Sequence, residues 1–218
     1  MRKWIGLMAV FLLVLSTGPV QALTVLPEGD ILIVKEGSIW QKLYYEVNGT
    51  GYTASSGRFH TYLTQDGKTI DTYSYCIDPG QVFYWDTPFT ADLAPAEASF
   101  AQAAWLVYNF DPYFGRNKLA GDLGDVAAAL QLAVWSTLYK DGGFVIGNNG
   151  DVINDLYADM RTALGNVNTD AIAGMFFAAL STGSQDQLVA APVPEPATML
   201  LMGIGLLGLG VVGRRRLK

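Results

Sequence analysis

AAALQLAVW, residues 127–135, sets a single amide, Gln131, in a run that is otherwise apolar. At about 3.6 residues per turn, Gln131 shares a helix face with Ala127, Ala128, Val134, Trp135 and Leu138, so its side chain is expected in the core. A buried primary amide without partners costs about 1–3 kcal/mol. Gln131 is therefore either hydrogen-bonded or no longer an amide. The helix that carries it is expected from residue 122 or 125 to residue 140, with an Asp to cap its start and Gly142-Gly143 beyond its end. It is apolar nearly all round, which predicts a central position between the preceding helix and a sheet.

Upstream of this helix the periodicity is that of strands. Residues 31–34 form a short apolar run, residues 39–47 are rich in β-formers, and Asn48-Gly49-Thr50-Gly51 reads as a turn. Asp66-Gly67 between two β-rich runs predicts a two-residue hairpin turn. In that register Leu63 faces Ile70, Thr61 faces Thr72 and Phe59 faces Ser74. Cys76 then falls on the face of Phe59, Leu63 and Ile70, pointing inward, while His60, Tyr62, Asp71, Tyr73 and Tyr75 take the other face.

Asp78-Pro79-Gly80 is a turn, and the aromatic segment 81–89 is expected to be extended. Pro95 is expected to open a helix over residues 96–110, which Asp111-Pro112-Tyr113-Phe114-Gly115 ends. Residues 147–151 read as a solvated turn, because they lack the alternating acidic ligands and distal Glu of a calcium loop. A helix over 151–164 follows, with Val152, Leu156, Met160 and Leu164 along one stripe. Residues 169–180 suit a helix or a buried strand, and a helix is the expectation. Residues 188–190 are expected to add an edge strand. Strands followed by helices predict an α+β body, with an antiparallel β part over residues 23–89 packed against a helical part over 96–180.

Cys76 is the one cysteine of the chain. The triplet Tyr75-Cys76-Ile77, followed by Gln131, Ala133, Val134 and Trp135 on a helix, resembles the thioester domains of Gram-positive surface adhesins. Leu130 departs from that pattern, in which many members place Thr before the Gln. The resemblance implies a thioester-domain-like fold. It also implies that the Cys76 sulfur condenses with the Gln131 side chain, releasing ammonia and leaving an internal acyl thioester, with Tyr75, Ile77 and Trp135 around it.

Both chain ends read as targeting signals. Met1-Arg2-Lys3, the apolar run 4–15 and the small-residue site ending at Ala22 make residues 1–22 a signal peptide cleaved after Ala22. The apolar run is short against the about 20 residues of a membrane span. The body is expected over residues 23–190. Beyond it come a linker with Pro194-Glu195-Pro196 (191–196), a Gly-rich membrane helix (197–213) and the basic tail with Arg214, Arg215 and Arg216 (214–218). This triad resembles the PEP-CTERM sorting signal of Gram-negative bacteria. The resemblance implies an exosortase-type processing enzyme as partner, cleavage near Pro194 to Pro196, transient anchoring in the membrane, and a place at the cell surface or in an extracellular matrix.

Between residues 23 and 190 there are eight Lys or Arg against nineteen Asp or Glu, a net charge near −11 that argues against nucleic-acid binding. A single Cys in an oxidising compartment forms no internal disulfide. His60, the one histidine, lies on the strand face opposite Cys76, so a Cys-His dyad is not expected, nor are a metal site, a cofactor or enzymatic turnover. Two functions remain. The first is covalent adhesion or cross-linking through the thioester to an amine-bearing partner, a protein lysine or an amino sugar. The alternative is a non-covalent structural or carbohydrate-binding matrix protein with an unreacted Cys76, in which Tyr73, Tyr75, Tyr84 and Trp85 form a sugar-stacking surface.

Overall fold

The computed structural model describes residues 28–96, 100–139, 143–165, 167–169, 172 and 174–190. The signal peptide with Ala22, the motif Pro194-Glu195-Pro196, the segment 197–213 and Arg214 to Arg216 lie outside the described residues. Among the described residues no helix is long and apolar enough to cross a membrane.

The chain opens with two long antiparallel strands, β1 (Glu28–Val47) and β2 (Thr50–Gln65). The two-residue turn between them has both central residues at positive φ, Asn48 at 50° and Gly49 at 79°. Asp66 and Gly67 repeat that geometry at 51° and 70° and lead into β3 (Lys68–Cys76). Asn-Gly and Asp-Gly suit such turns because they accept positive φ at low cost and match the twist of the flanking strands. The β2–β3 register is the expected one: Phe59 opposite Ser74, Thr61 opposite Thr72, Leu63 opposite Ile70.

The remaining strands are β4 (Phe89–Pro95), β5 (Phe144–Ile146), β6 (Phe176–Leu180) and β7 (Gln187–Ala190). Their order is β2-β3-β7-β6-β4-β1-β5, and β2 also pairs with β1. Six strands thus close into an antiparallel ring, with β5 attached to the far end of β1. β1 makes this possible by serving two neighbourhoods. Residues 28–31 pair with β4, the register shifts between Val34 and Ile39, and the rest of β1 runs on with β2 beyond the ring.

Three helices complete the described structure: α1 (Ala101–Phe110), α2 (Leu123–Leu138) and α3 (Asp151–Leu164). Asp122 caps α2, accepting from the Gly124 N–H at 2.7 Å. Every residue from Val126 to Trp135 is buried, and α2 packs against α1, α3, β1 and β2, the central position its composition predicts. Ala127, Ala128, Ala129 and Ala133 let neighbours approach closely, while Leu130, Leu132, Val134 and Trp135 each contribute about 1.5–3 kcal/mol by leaving water.

The architecture is α+β, with a mostly antiparallel sheet and three helices among the described residues, but several expectations are corrected. The sheet is not confined to the N-terminal half, since β5, β6 and β7 come from the C-terminal half and two of them close the ring. Pro95 ends β4 opposite Phe177 rather than opening a helix, a strand-end position where its missing N–H is tolerated. Residues 176–180 are a strand, because β4 and β7 flank both of its edges and offer more backbone pairing than an isolated helical turn. β7 lies inside the sheet between β3 and β6, not at an edge. Residues 80–88 form no strand, and the segments 31–34 and 39–47 belong to one continuous β1.

Candidate functional site

Cys76 is the last residue of β3, where β2 no longer runs alongside. The β2–β3 ladder ends at the Phe59–Ser74 pair, and from Arg58 backward β2 follows β1 alone. On its other edge β3 pairs with β7, with Cys76 opposite Gln187. The main-chain N–H and C=O of Cys76 are left without a β2 partner, and the Gln131 amide takes that place. The Cys76 N–H donates to Gln131 Oε1 at 3.0 Å, and Gln131 Nε2 donates to the Cys76 C=O at 2.7 Å. One helical turn further on, the Trp135 indole N–H donates to Cys76 Sγ at 3.4 Å. Cys76, Gln131 and Trp135 are all buried. Gln131 and Trp135 meet the same residue because positions four apart share a helix face.

The other expected neighbours, Tyr75 and Ile77, flank Cys76 in the chain, Tyr75 within β3 and Ile77 just past its end. Ile77 is buried, and its N–H donates to the Asp186 carbonyl at 3.0 Å. Tyr75 turns away from the sulfur, and its hydroxyl donates to Asp111 Oδ2 at 2.9 Å. His60 also stands apart from Cys76: its Nε2 is 2.9 Å from Asp71 Oδ1 and its Nδ1 2.9 Å from the Glu36 carbonyl oxygen.

Burial pushes the Cys76 thiol well above the ordinary thiol range, against the pull of two N–H groups, the Trp135 indole and the Asp78 main chain, that donate to the sulfur. The nearby charges of Asp78 and Asp186 push it further in the same direction. As a thiol, Cys76 is held in its neutral form at neutral pH, in a dry environment. Around it stand residues the sequence did not single out. Tyr45 packs on Trp135 with ring centroids 4.6 Å apart, and its hydroxyl donates to the Pro79 carbonyl at 3.0 Å. Burial raises the Tyr45 phenol far above its ordinary value, with a further push from Cys76. The Tyr139 phenol is pushed up to about 12, first by burial and then by Asp78. Burial also raises Asp186, partly offset by the Ser181 N–H on its carboxylate. Asp78, Tyr139 and Asp186 are each half-buried. These residues come from four separate segments, and only Asp78 lies close enough to Cys76 in sequence to have drawn notice.

The four aromatic residues expected to make a stacking surface do not form one. Tyr75 is buried, Tyr73 packs against Phe114, and Trp85 packs among Trp40, Phe59 and Phe83, which leaves Tyr84 as the exposed member. Cross-strand and loop packing claims the rings. Among the described residues no group of three or more His, Cys, Asp or Glu side chains is placed to hold a metal ion.

Residues 192–216 match the PEP-CTERM protein-sorting motif. The match supports an exosortase substrate that is exported and processed in transit through the membrane. No curated protein and no solved structure matches the chain.

Proposed function

We infer that this exported protein carries an internal Cys76–Gln131 thioester for covalent attachment to amine groups at the cell surface or in an extracellular matrix. The observation that carries the reading is the double hydrogen bond between the Gln131 amide and the Cys76 main chain, which holds the amide against the residue that bears the thiol.

In the condensation, Cys76 Sγ adds to Gln131 Cδ and a carbon–sulfur bond forms. The carbon–nitrogen bond then breaks, the thiol proton passes to the departing nitrogen, and ammonia leaves. Charge that develops on Oε1 meets the Cys76 N–H already aimed at it, as in an oxyanion hole. The Cys76 C=O orients the nitrogen that departs. The Trp135 N–H supports the sulfur as it sheds its proton. Burial then shields the thioester from water. When an amine from a lysine or amino sugar enters, its nitrogen attacks the same carbon, an amide forms, the carbon–sulfur bond breaks and the sulfur takes the amine proton. Each molecule reacts once, so the chemistry is capture rather than enzymatic turnover.

One observation favours the alternative, a non-covalent matrix protein with an unreacted thiol. Gln131 already has both a donor and an acceptor partner, so its burial does not by itself require condensation. Peptide mapping of the exported protein separates the two readings. The thioester predicts a cross-linked pair of peptides containing Cys76 and Gln131, lighter by one ammonia and inert to thiol reagents after denaturation. Separate peptides with an alkylated Cys76 and an intact Gln131 would overturn it. In the same preparation methylamine is expected to add to Gln131 and free the thiol, and Cys76→Ala is expected to abolish that addition in a folded protein.

A further inference from the structure

On the face of β3 turned away from Cys76, a cleft of about 660 Å³ is lined by Arg58, Asp71, Tyr73, Tyr108, Tyr113 and Phe114 among others. That volume falls within the usual range for small-ligand sites. Arg58 belongs to β2, and its side chain is nine-tenths buried. Its Nε donates to Asp111 Oδ2 at 3.0 Å. The guanidinium carbon lies 4.4 Å from the Tyr73 ring centroid, 5.0 Å from that of Tyr113 and 5.5 Å from that of Phe114. Its two terminal amino groups make no hydrogen bond within the described structure, and neither is sealed from solvent.

This is a costly arrangement for a purely structural ion pair. Asp111 is fully engaged, accepting from Arg58, from the Tyr75 hydroxyl and from the N–H groups of Tyr113 and Phe114. Arg58 keeps four of its five N–H donors unused within the described structure, in a cleft with mostly apolar walls. Tyr113 and Phe114 are themselves half or more exposed, although they are large and ring-bearing. Arg116 adds a second cation at the border, 4.4 Å from the Tyr108 ring centroid. Asp71 offers an exposed carboxylate, one oxygen of which is bound to His60.

We propose that this cleft binds a carboxylate-bearing sugar unit, a uronic acid residue of a saccharide. The free edge of the Arg58 fork matches a carboxylate with two parallel hydrogen bonds. The exposed rings of Tyr113 and Phe114 cover the apolar face of the pyranose, and Asp71 accepts from its hydroxyl groups. The site is independent of Cys76, because Tyr75, which supports Asp111, and Cys76 leave β3 on opposite faces.

The test is calorimetric titration of the exported protein with trigalacturonate, its methyl ester and benzoate at physiological salt. The acid is expected to bind at least roughly tenfold more tightly than the ester, which lacks the charge that strengthens the Arg58 hydrogen bonds. Benzoate is expected to bind at least roughly tenfold more weakly than the acid, because it has no hydroxyl groups for Asp71. Phe114→Ala, at an exposed position that leaves the fold intact, is expected to weaken the acid by roughly fivefold or more through lost stacking. Arg58→Lys retains a cation for Asp111 but loses the fork, and it is expected to remove the preference for acid over ester. Equal binding of acid and ester, equal binding of benzoate, or no effect of Phe114→Ala would overturn the proposal.

Discussion

Gln131 is tied to a single residue by two hydrogen bonds, and that makes the cost of replacing it separable into parts. Gln131→Leu removes both partners of the Cys76 main chain at a buried position, and each unpaired group costs about 1–3 kcal/mol. A clear fall in the thermal midpoint is expected, and a variant as stable as the parent would show that the amide has no structural role. Trp135→Phe retains most of the ring packing but deletes the N–H on the sulfur. It is expected to slow thioester formation in newly made protein, read as the fraction of cross-linked peptide at early times, while the far-ultraviolet circular dichroism stays that of the parent.

At the scale of elements, the site exists because the β2–β3 ladder ends at the Phe59–Ser74 pair, before Cys76, and Gly57 lies in the stretch of β2 that then follows β1 alone. A Cβ at Gly57 would collide with the carbonyl oxygen of Ile39 on β1, so the two paired strands approach this closely only with glycine there. Gly57→Ala is expected to cost about 1–3 kcal/mol, as overpacking commonly does. It is also expected to loosen the Cys76 environment, measured as faster hydrogen exchange at the Cys76 and Ile77 amides. Helix α2 depends in turn on its cap. Asp122→Ala removes the acceptor of the Gly124 N–H and is expected to cost about 0.5–2 kcal/mol in denaturant unfolding, with the Gln131–Cys76 contact unchanged.

At the largest scale, the acidic groups with clear shifts among the described residues are the Cys76 thiol, four tyrosines and Asp186, all held above their ordinary values chiefly by burial. The folded protein keeps protons on Tyr45, Tyr73, Tyr75 and Tyr139 at pH values where the unfolded chain releases them. The stability they contribute is therefore complete below the ordinary phenol value of 10.0, and it is lost as pH rises above it. Thermal midpoints are expected to hold from neutral pH to about 10 and to fall steeply beyond it. A flat profile to pH 11 would show that these groups are not shielded as the structure has them. Tyr75→Phe removes one such proton and is expected to flatten the alkaline fall.

The sequence by itself determined the parts that depend on near neighbours. Asp66-Gly67 specified the β2–β3 register residue for residue, because a two-residue turn leaves one pairing and a period of two assigns each side chain to a face. The helical period buried Gln131, and the parity of β3 turned Cys76 inward. The Pro-Glu-Pro motif and basic tail carried the sorting signal in a contiguous segment. Only the tertiary structure decided the rest. Residues 176–180 and 187–190 carry apolar patterns that a helix or an edge strand would satisfy equally well, and it is the partners β4 and β3, about a hundred residues earlier, that make them interior strands. Helix period and strand parity each place a residue in the core but say nothing about which buried residues meet. The meeting of Gln131 with Cys76, fifty-five residues away, follows from the end of the β2–β3 ladder at the Phe59–Ser74 pair, which leaves two main-chain groups that an amide is shaped to pair.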